Sequence, residues 1–205
     1  MIDTQLRRLI DPMLDPVGAA LARRGIAADH VTLVGLGLGI GAGLASAFGA
    51  FLTALALVIA NRLCDGLDGA VAKASGRTEA GGFLDITCDF VFYGAVPVGF
   101  ALHAPEIYGL PAAILLFSFY VNGSAFLAFA TLAARHPGIA AMPRAKSFHY
   151  MWGLAEGAET ILFLVAVTLM PQLFPVLAVI FAMACLISGA ARMVTGYRAA
   201  RALRL

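Results

Sequence analysis

Long apolar runs alternate with short polar connections along this chain, a pattern typical of membrane helices. A helix needs about 20 predominantly apolar residues to cross a hydrocarbon layer of about 30 Å. Because the connections between the runs are short, the pattern predicts six transmembrane helices. The runs occupy 31–48, 50–73, 83–103, 107–133, 151–170 and 173–198.

The segment before the first run has a different pattern. Its apolar residues recur at intervals of three and four, and arginines supply the polar side, which predicts an amphipathic helix lying in the membrane interface. The expected fold is therefore an all-α integral membrane protein, with a juxtamembrane helix over 1–28 and a six-helix transmembrane catalytic domain over 29–205. The apolar positions are Leu6, Leu9, Ile10, Met13, Leu14, Val17 and Leu21, and the arginines are Arg7, Arg8, Arg23 and Arg24.

Composition supports a membrane protein and excludes other classes. Only 13% of the 205 residues are charged, against roughly 25% in soluble domains, and the mean hydropathy is +0.89. The net charge of +2 and the lack of a basic aromatic patch argue against nucleic acid as a partner. The three cysteines have no paired spacing, so no disulfide scaffold is expected. The N-terminus lacks the apolar core of a signal peptide, so the spans themselves are expected to direct insertion.

The cations indicate the orientation of the helices. Six spans place the N-terminus and the segments 74–82, 134–150 and 199–205 on one side of the membrane, and nearly all Lys and Arg residues fall there. Arg62 and Arg192 are exceptions that lie inside spans. By the positive-inside rule the charged side is cytoplasmic, so we expect a bacterial or archaeal cytoplasmic membrane with this side facing the cytoplasm.

Glycines recur at every fourth residue in the first span, at Gly35, Gly39 and Gly43. A phosphate-binding loop would need a different glycine spacing and a preceding strand. Close packing against neighbouring helices is the better interpretation.

Four aspartates interrupt the apolar pattern around the second connection. Asp65 and Asp68 are three residues apart, and Asp85 and Asp89 are four apart, so each pair shares one face of its helix. The two helices are joined by the short segment 74–82, so all four carboxylates can meet. A carboxylate within a span costs about 2.5–3.5 kcal/mol on insertion scales. A compensating cation is therefore expected.

Two sources of positive charge could compensate the acids. Lys73 and Arg77 could form a structural ion network with the acids. Oxygen-only carboxylate sites, however, suit Mg²⁺, Mn²⁺ or Ca²⁺, and paired ions are typical of displacement at phosphorus. We therefore predict two ions of Mg²⁺ or Mn²⁺, with the glycines Gly66, Gly69, Gly81 and Gly82 leaving the backbone open to a phosphate.

The same stretch resembles the signature of the CDP-alcohol phosphatidyltransferases, D-x-x-D-G-x-x-A-R, then seven or eight residues, then G-x-x-x-D-x-x-x-D. The six spans and the interfacial helix also resemble this family. One position departs, with Lys in place of Arg, and Asp29 stands where an upstream Asn-x-x-Thr of the family has Asn. The matching residues are Asp65, Asp68, Gly69, Ala72, Lys73, Gly81, Asp85 and Asp89, with Thr32 upstream.

The resemblance implies transfer of a phosphatidyl group from a CDP-linked lipid such as CDP-diacylglycerol to a hydroxyl, with release of CMP, in phospholipid biosynthesis. It implies a homodimer in membrane lipid, with a CDP-lipid and a small polar alcohol as substrates. Asp65, Asp68 and Asp85 would be metal ligands, and Asp89 a shared ligand or the general base. The residues implied to bind CDP and its diphosphate are Thr32, Asp65, Gly69, Ala72, Lys73, Thr78 and Gly81.

The acceptor stays open among glycerol 3-phosphate, inositol phosphate and serine types. Cations at Arg135, Arg144, Lys146 and Arg192 would suit a phosphorylated acceptor, although loop cations also anchor proteins to anionic lipid. Glu156 and Glu159 could be partners of Arg62, Arg192 or the loop cations.

Two other functions fit the composition. A cation-coupled transporter would use the aspartates as an ion site, and it predicts acids near the bilayer midplane with paired broken helices. A catalytically idle scaffold of the same fold predicts loss of motif acids, and none is lost.

Overall fold

The structure, a computed structural model, describes residues 2–136 and 157–203, with side chains from Ile10 onward. The secondary structure of these residues is helical, which confirms the all-α class. The helices are α1 (Ile2–Arg23), α2 (Ala28–Ala47), α3 (Phe51–Ser75), α4 (Glu79–His103), α5 (Pro105–Arg135), α6 (Gly157–Leu169) and α7 (Phe174–Ala202), and a 3₁₀ turn at Pro171–Leu173 precedes α7.

Four of the described helical segments are long and apolar enough to cross a membrane, namely Ala28–Ala47, Glu79–His103, Pro105–Arg135 and Pro171–Ala202. These segments make the chain an integral membrane protein. The remaining two predicted spans correspond to α3 and α6. Arg62, Asp65 and Asp68 interrupt the apolar sequence of α3, and α6 has 13 described residues. Six spans therefore stay a prediction.

Helix α1 packs against α3. A Cβ on Gly18 would lie 2.6 Å from Ala70 Cβ and 2.7 Å from the Ala70 carbonyl carbon, so the two backbones are in close contact. Leu14 reaches Gly66 in the same way, while Met13 remains 75% exposed. Some apolar residues of α1 therefore contact α3, whereas others are exposed on the outer surface. The interfacial position of the helix stays a prediction.

The glycines of α2 are packing positions, as predicted. A Cβ on Gly35 would contact Cys64 and Asn61 of α3, whereas one on Gly39 would overlap the Phe92 ring of α4. Gly43 lies against the α4 backbone, since its Cβ would be 2.6 Å from Ala95 O. One stripe of small residues therefore lets α2 contact both α3 and α4.

An aromatic cluster closes the end of the molecule opposite the acids. Phe100 stacks on Phe174 at 4.2 Å between ring centroids and on Phe51 at 5.0 Å, and His103 meets the edge of Phe51 at 5.1 Å. Phe51 begins α3 and His103 ends α4. The core is thus largely aromatic at this end, and the acidic residues lie near the other end of both helices.

Candidate active site

Two helix ends bring the aspartates together. Asp65 and Asp68 lie in the last half of α3, Asp85 and Asp89 lie in the first half of α4, and three residues connect the helices. Gly76 has φ +102° after the end of α3, a conformation that side chains other than glycine's rarely adopt. Thr78 then caps α4, since Thr78 Oγ1 accepts a hydrogen bond of 3.0 Å from the Gly81 amide.

The four carboxylates line one small cavity of about 10 Å³, together with Thr32, Asn61 and Arg62. One oxygen from each of Asp65, Asp85 and Asp89 lies within 4.8 Å of the other two. Asp68 is more enclosed, with 7% of its surface exposed, and its Oδ2 accepts a hydrogen bond of 2.7 Å from Thr32 Oγ1.

This geometry fits a divalent cation. Two ligand oxygens on one ion lie at most twice the metal–oxygen distance apart, which is about 4.2 Å for Mg²⁺ and about 5 Å for Ca²⁺. The separation of up to 4.8 Å between the three aspartate oxygens falls in this range with small side-chain adjustments. An all-oxygen donor set of carboxylates suits hard cations, so Asp65, Asp85 and Asp89 could share an ion.

Arg62 is the cation that sequence reasoning did not assign to this cluster. Its Nη2 donates a hydrogen bond of 2.7 Å to Asp89 Oδ1, and its Nη1 lies 3.3 Å from Asp65 Oδ2. The pairing of Glu156 and Glu159 with Arg62, Arg192 or the loop cations stays a prediction, since Glu156 and the loop lie outside the described residues. Residues three apart on a helix are neighbours, so the spacing of Arg62 and Asp65 was the available signal.

The cations expected beside the acids lie elsewhere. Lys73 Nζ is 2.6 Å from Asp15 Oδ2 of α1, and 59% of the Lys73 side chain is exposed. Arg77 lies exposed in the turn between α3 and α4. Within the part of the chain that the structure describes, Arg62 forms ion pairs with Asp65 and Asp89, and phosphate binding by Lys73 stays a prediction.

Part of the backbone near the carboxylates is open. A Cβ on Gly69 or Gly82 would meet nothing within 4 Å, and one on Gly81 would lie 3.2 Å from Asp29 Oδ1. The expectation of open space was wrong for Gly66, because Leu14 of α1 covers it at 2.5 Å from the Cβ position. Ala72 is half-buried and Thr78 is exposed, both near the turn.

A second, larger cavity adjoins the carboxylates. It has a volume of about 620 Å³ and is lined by residues of α4, α5, α6 and α7, among them Asp89, Tyr93, Asn122 and Arg192. Tyr93 Oη donates a hydrogen bond of 3.0 Å to Asp89 Oδ2. Asp89 lines both cavities and so stands between the acidic cluster and a space of ligand size.

Of the residues predicted to contact an acceptor, Arg192 lines the larger cavity and Arg135 does not. Arg192 lines the larger cavity, is 6% exposed, and donates from Nη1 to Asn122 Oδ1 at 2.9 Å. Its guanidinium carbon lies 5.5 Å from the centroid of the Phe126 ring. Arg135 is exposed at the end of α5 and does not line this cavity. Arg144, Lys146 and Glu156 lie outside the described residues.

Membrane-length helices, a carboxylate cluster whose geometry fits a divalent cation, and an adjoining cavity indicate an integral membrane enzyme. The chain belongs to the CDP-alcohol phosphatidyltransferase family, whose model matches residues 25–190. It is a transferase of phospholipid biosynthesis. Membership confirms the resemblance read from the motif and does not favour the transporter alternative.

Two curated relatives illustrate the family. The chain is 45% identical over 208 residues to the inner membrane protein YnjF of Escherichia coli (strain K12), covering 100% of this chain and 99% of that protein. It is 38% identical over 95 residues to the archaetidylinositol phosphate synthase of Methanothermobacter thermautotrophicus, covering 46% of this chain and 45% of that protein.

Solved structures share the fold. The phosphatidylinositol phosphate synthase PgsA1 of Mycobacterium tuberculosis with CDP-DAG bound has a TM-score of 0.62 at 20% identity, covering 91% of this chain and 94% of that one. The same protein in complex with manganese and citrate has a TM-score of 0.64 at 21% identity, covering 90% and 88%. At this identity the likeness shows the common fold.

Proposed function

We propose that the protein transfers a phosphatidyl group from CDP-diacylglycerol to the hydroxyl of a small polar acceptor and releases CMP. The carrying observation is the position of Asp89, which lines both the acidic cavity and the larger one. A nucleophile in the larger cavity and a phosphate at the acidic cavity would meet at this residue. The relative solved with CDP-DAG bound supports the choice of donor.

On the donor side, Asp65, Asp68, Asp85 and Asp89 are the proposed ligands of two Mg²⁺ or Mn²⁺ ions. Such ions offset the charge of the diphosphate and of the leaving CMP. The manganese complex of the related fold supports a divalent ion. The proposed contacts of the nucleotide and its diphosphate are Thr32, Asp65, Gly69, Ala72, Lys73, Thr78 and Gly81.

The reaction is a displacement at phosphorus. The acceptor oxygen forms a bond to the β-phosphorus of the donor, the bond from that phosphorus to the bridging oxygen breaks, and the bridging oxygen leaves with CMP. Asp89 is the proposed base for the hydroxyl proton, since it faces the larger cavity. Tyr93 and Arg62 each hold one of its oxygens, which limits the rotation of the carboxylate.

On the acceptor side, Arg192 is the proposed contact for an anionic group, and Arg135, Arg144 and Lys146 are proposed to attract such a group to the membrane surface. Arg192 is buried and lines the larger cavity beside Asn122. A guanidinium binds phosphate or carboxylate with two parallel hydrogen bonds. Because a phosphate group carries more negative charge than the carboxylate of serine, glycerol 3-phosphate or inositol phosphate is the acceptor type to test first.

The proposed setting is a cytoplasmic membrane with the acidic end facing the cytoplasm, six spans behind an interfacial α1, and a homodimer. A donor with acyl chains and a charged head places its diphosphate at the membrane surface. The acids lie in the halves of α3 and α4 that adjoin their connecting turn, the side proposed to meet that diphosphate.

The test is CMP release from CDP-diacylglycerol by the purified protein with Mn²⁺ or Mg²⁺ and a panel of polar alcohols, phosphorylated and not. Asp65→Asn and Asp89→Asn should each lower the rate by about 100-fold or more, because each removes a carboxylate ligand of the ions that stabilise the transition state. Glu106→Gln is the matched control, a carboxylate at the start of α5. Unchanged CMP release in both aspartate variants would refute the proposal.

Identification of the lipid product by mass spectrometry assigns the acceptor in the same experiment. A product formed from a phosphorylated acceptor supports the role proposed for Arg192. Product from unphosphorylated alcohols alone would argue against that role and leave the assignment of the donor side intact.

A further inference from the structure

The guanidinium of Arg62 is held on every side by described residues. Its Nε donates to Asn61 Oδ1 at 3.1 Å and its Nη2 donates to Asp89 Oδ1 at 2.7 Å. Its Nη1 lies 3.3 Å from Asp65 Oδ2. Each nitrogen therefore has an oxygen partner, and two of these oxygens belong to proposed metal ligands on different helices.

The surroundings of Arg62 restrict its orientation further. Its guanidinium carbon lies 5.4 Å from the Phe92 ring centroid and 5.9 Å from that of Tyr93, distances at which a cation is attracted to a ring face. Asn61 is 5% exposed, and its Nδ2 donates to the Gly35 carbonyl of α2 at 2.8 Å. A chain of hydrogen bonds thus runs from Gly35 of α2 through Asn61 to Arg62 and on to the carboxylates.

We propose that Arg62 is a positioning residue that holds the carboxylates of Asp65 and Asp89 in register to bind a divalent cation. The inference deepens the proposed function and rests on its metal site. Each carboxylate oxygen has more than one acceptor position, so a hydrogen bond from Arg62 does not prevent Asp65 and Asp89 from binding an ion as well. Groups that orient metal ligands through hydrogen bonds commonly change affinity or activity by about 10–100-fold.

Orientation and charge have opposite effects on metal affinity. The positive charge of Arg62 repels a nearby cation, so an effect of charge alone predicts tighter metal binding when Arg62 is neutralised. The positioning role predicts weaker binding, because the carboxylates of α3 and α4 lose the group that connects them. Lys keeps the charge and loses the planar fork, so it separates the two effects.

The experiment is a titration of the purified, detergent-solubilised protein with Mn²⁺ alone, followed by the electron paramagnetic resonance signal of free Mn²⁺. Arg62→Lys and Arg62→Gln should each weaken binding by about 10–100-fold. Tyr93→Phe, which removes one hydrogen bond to Asp89 without removing a charge, should weaken it by a smaller factor. Arg77→Gln is the control, since it removes the same charge from an exposed residue of the turn, and its affinity should match the wild type.

Binding to Arg62→Gln as tight as or tighter than wild type, or wild-type binding to Arg62→Lys, would overturn the positioning role. If the Gln variant does not fold, Arg62→Lys and Tyr93→Phe decide the question. A wild-type protein that binds no Mn²⁺ would count against the proposed function itself. If the wild-type protein releases CMP and binds Mn²⁺, and the Arg62 variants bind Mn²⁺ with the same affinity, only the inference about Arg62 is overturned.

Discussion

Asp89 illustrates how single residues organise this site. Its two oxygens accept from different donors, Arg62 of α3 and Tyr93 of its own helix. The side chain is 28% exposed, so it is accessible to a substrate while remaining oriented. Asp68 contrasts with it, because Asp68 is almost fully buried and its hydrogen bond comes from α2.

The hydroxyl of Thr32 should contribute more to the stability of the fold than its methyl group does. Thr32→Val removes the hydrogen bond to buried Asp68, and leaving such a group unsatisfied costs about 1–3 kcal/mol. We expect a lower midpoint of thermal unfolding in detergent for Thr32→Val and a value close to wild type for Thr32→Ser. Equal midpoints for Val and Ser would show that the 2.7 Å contact contributes nothing to stability.

The aspartates of the site could be predicted from spacing, while their partners could not. Periodicity places Asp65 with Asp68 and Asp85 with Asp89 on single helix faces. The pairing of Lys73 with Asp15 joins residues 58 positions apart, and no local rule connects them. Arg62 could have been found through its spacing to Asp65, but its bond to Asp89 required the packing of two helices.

At the scale of the elements, α2 determines how α3 and α4 are placed. Gly35 faces α3, whereas Gly39 and Gly43 face α4. A Cβ on Gly99 of α4 would overlap Gly43 O, so the two backbones meet without side chains between them. Small residues allow this approach, and the approach brings the acids of both helices into one cavity.

A matched pair of substitutions on α2 tests this arrangement. Gly43→Ala places a methyl group 2.6 Å from Ala95 O, and such overpacking typically costs about 1–3 kcal/mol. Gly37→Ala, on the same helix with nothing within 4 Å, should be neutral or stabilising by up to about 1 kcal/mol. The two midpoints of thermal unfolding and the two rates of CMP release should therefore diverge. Similar values for both variants would mean that α2 and α4 are not in close contact.

At the scale of the whole molecule, the aromatic cluster and the acidic cluster occupy opposite ends of α3 and α4. Phe51 and Phe100 are in contact at one end, and Asp65 and Asp89 are connected through Arg62 at the other. Helices α3, α5 and α7 each have a Lys or Arg in their last turn, namely Lys73, Arg135 and Arg201, whereas α4 ends with His103 at the aromatic end. Such asymmetry suits a protein with one catalytic face at a membrane surface.

The orientation of the molecule can be measured with single cysteines. Arg77→Cys lies in the turn beside the acids and Glu106→Cys lies in the first turn of α5. We expect a membrane-impermeant maleimide to label Glu106→Cys in intact spheroplasts and Arg77→Cys only after permeabilisation, because cations mark the cytoplasmic side. The parent chain with its three native cysteines is the control for background labelling. The reverse labelling pattern would invert the proposed topology.

The sequence by itself determined the helical membrane class, the aspartate spacing and the family, because these follow from local periodicity and from a motif within 25 residues of chain. Only the tertiary structure showed that Arg62 bridges Asp65 and Asp89, that Leu14 covers Gly66, and that Asp89 lines a second cavity. Apart from the Arg62–Asp65 pair within α3, these contacts join residues from different helices. Their geometry depends on how closely the helix backbones approach one another, and the periodicity of residues along one helix does not specify that distance.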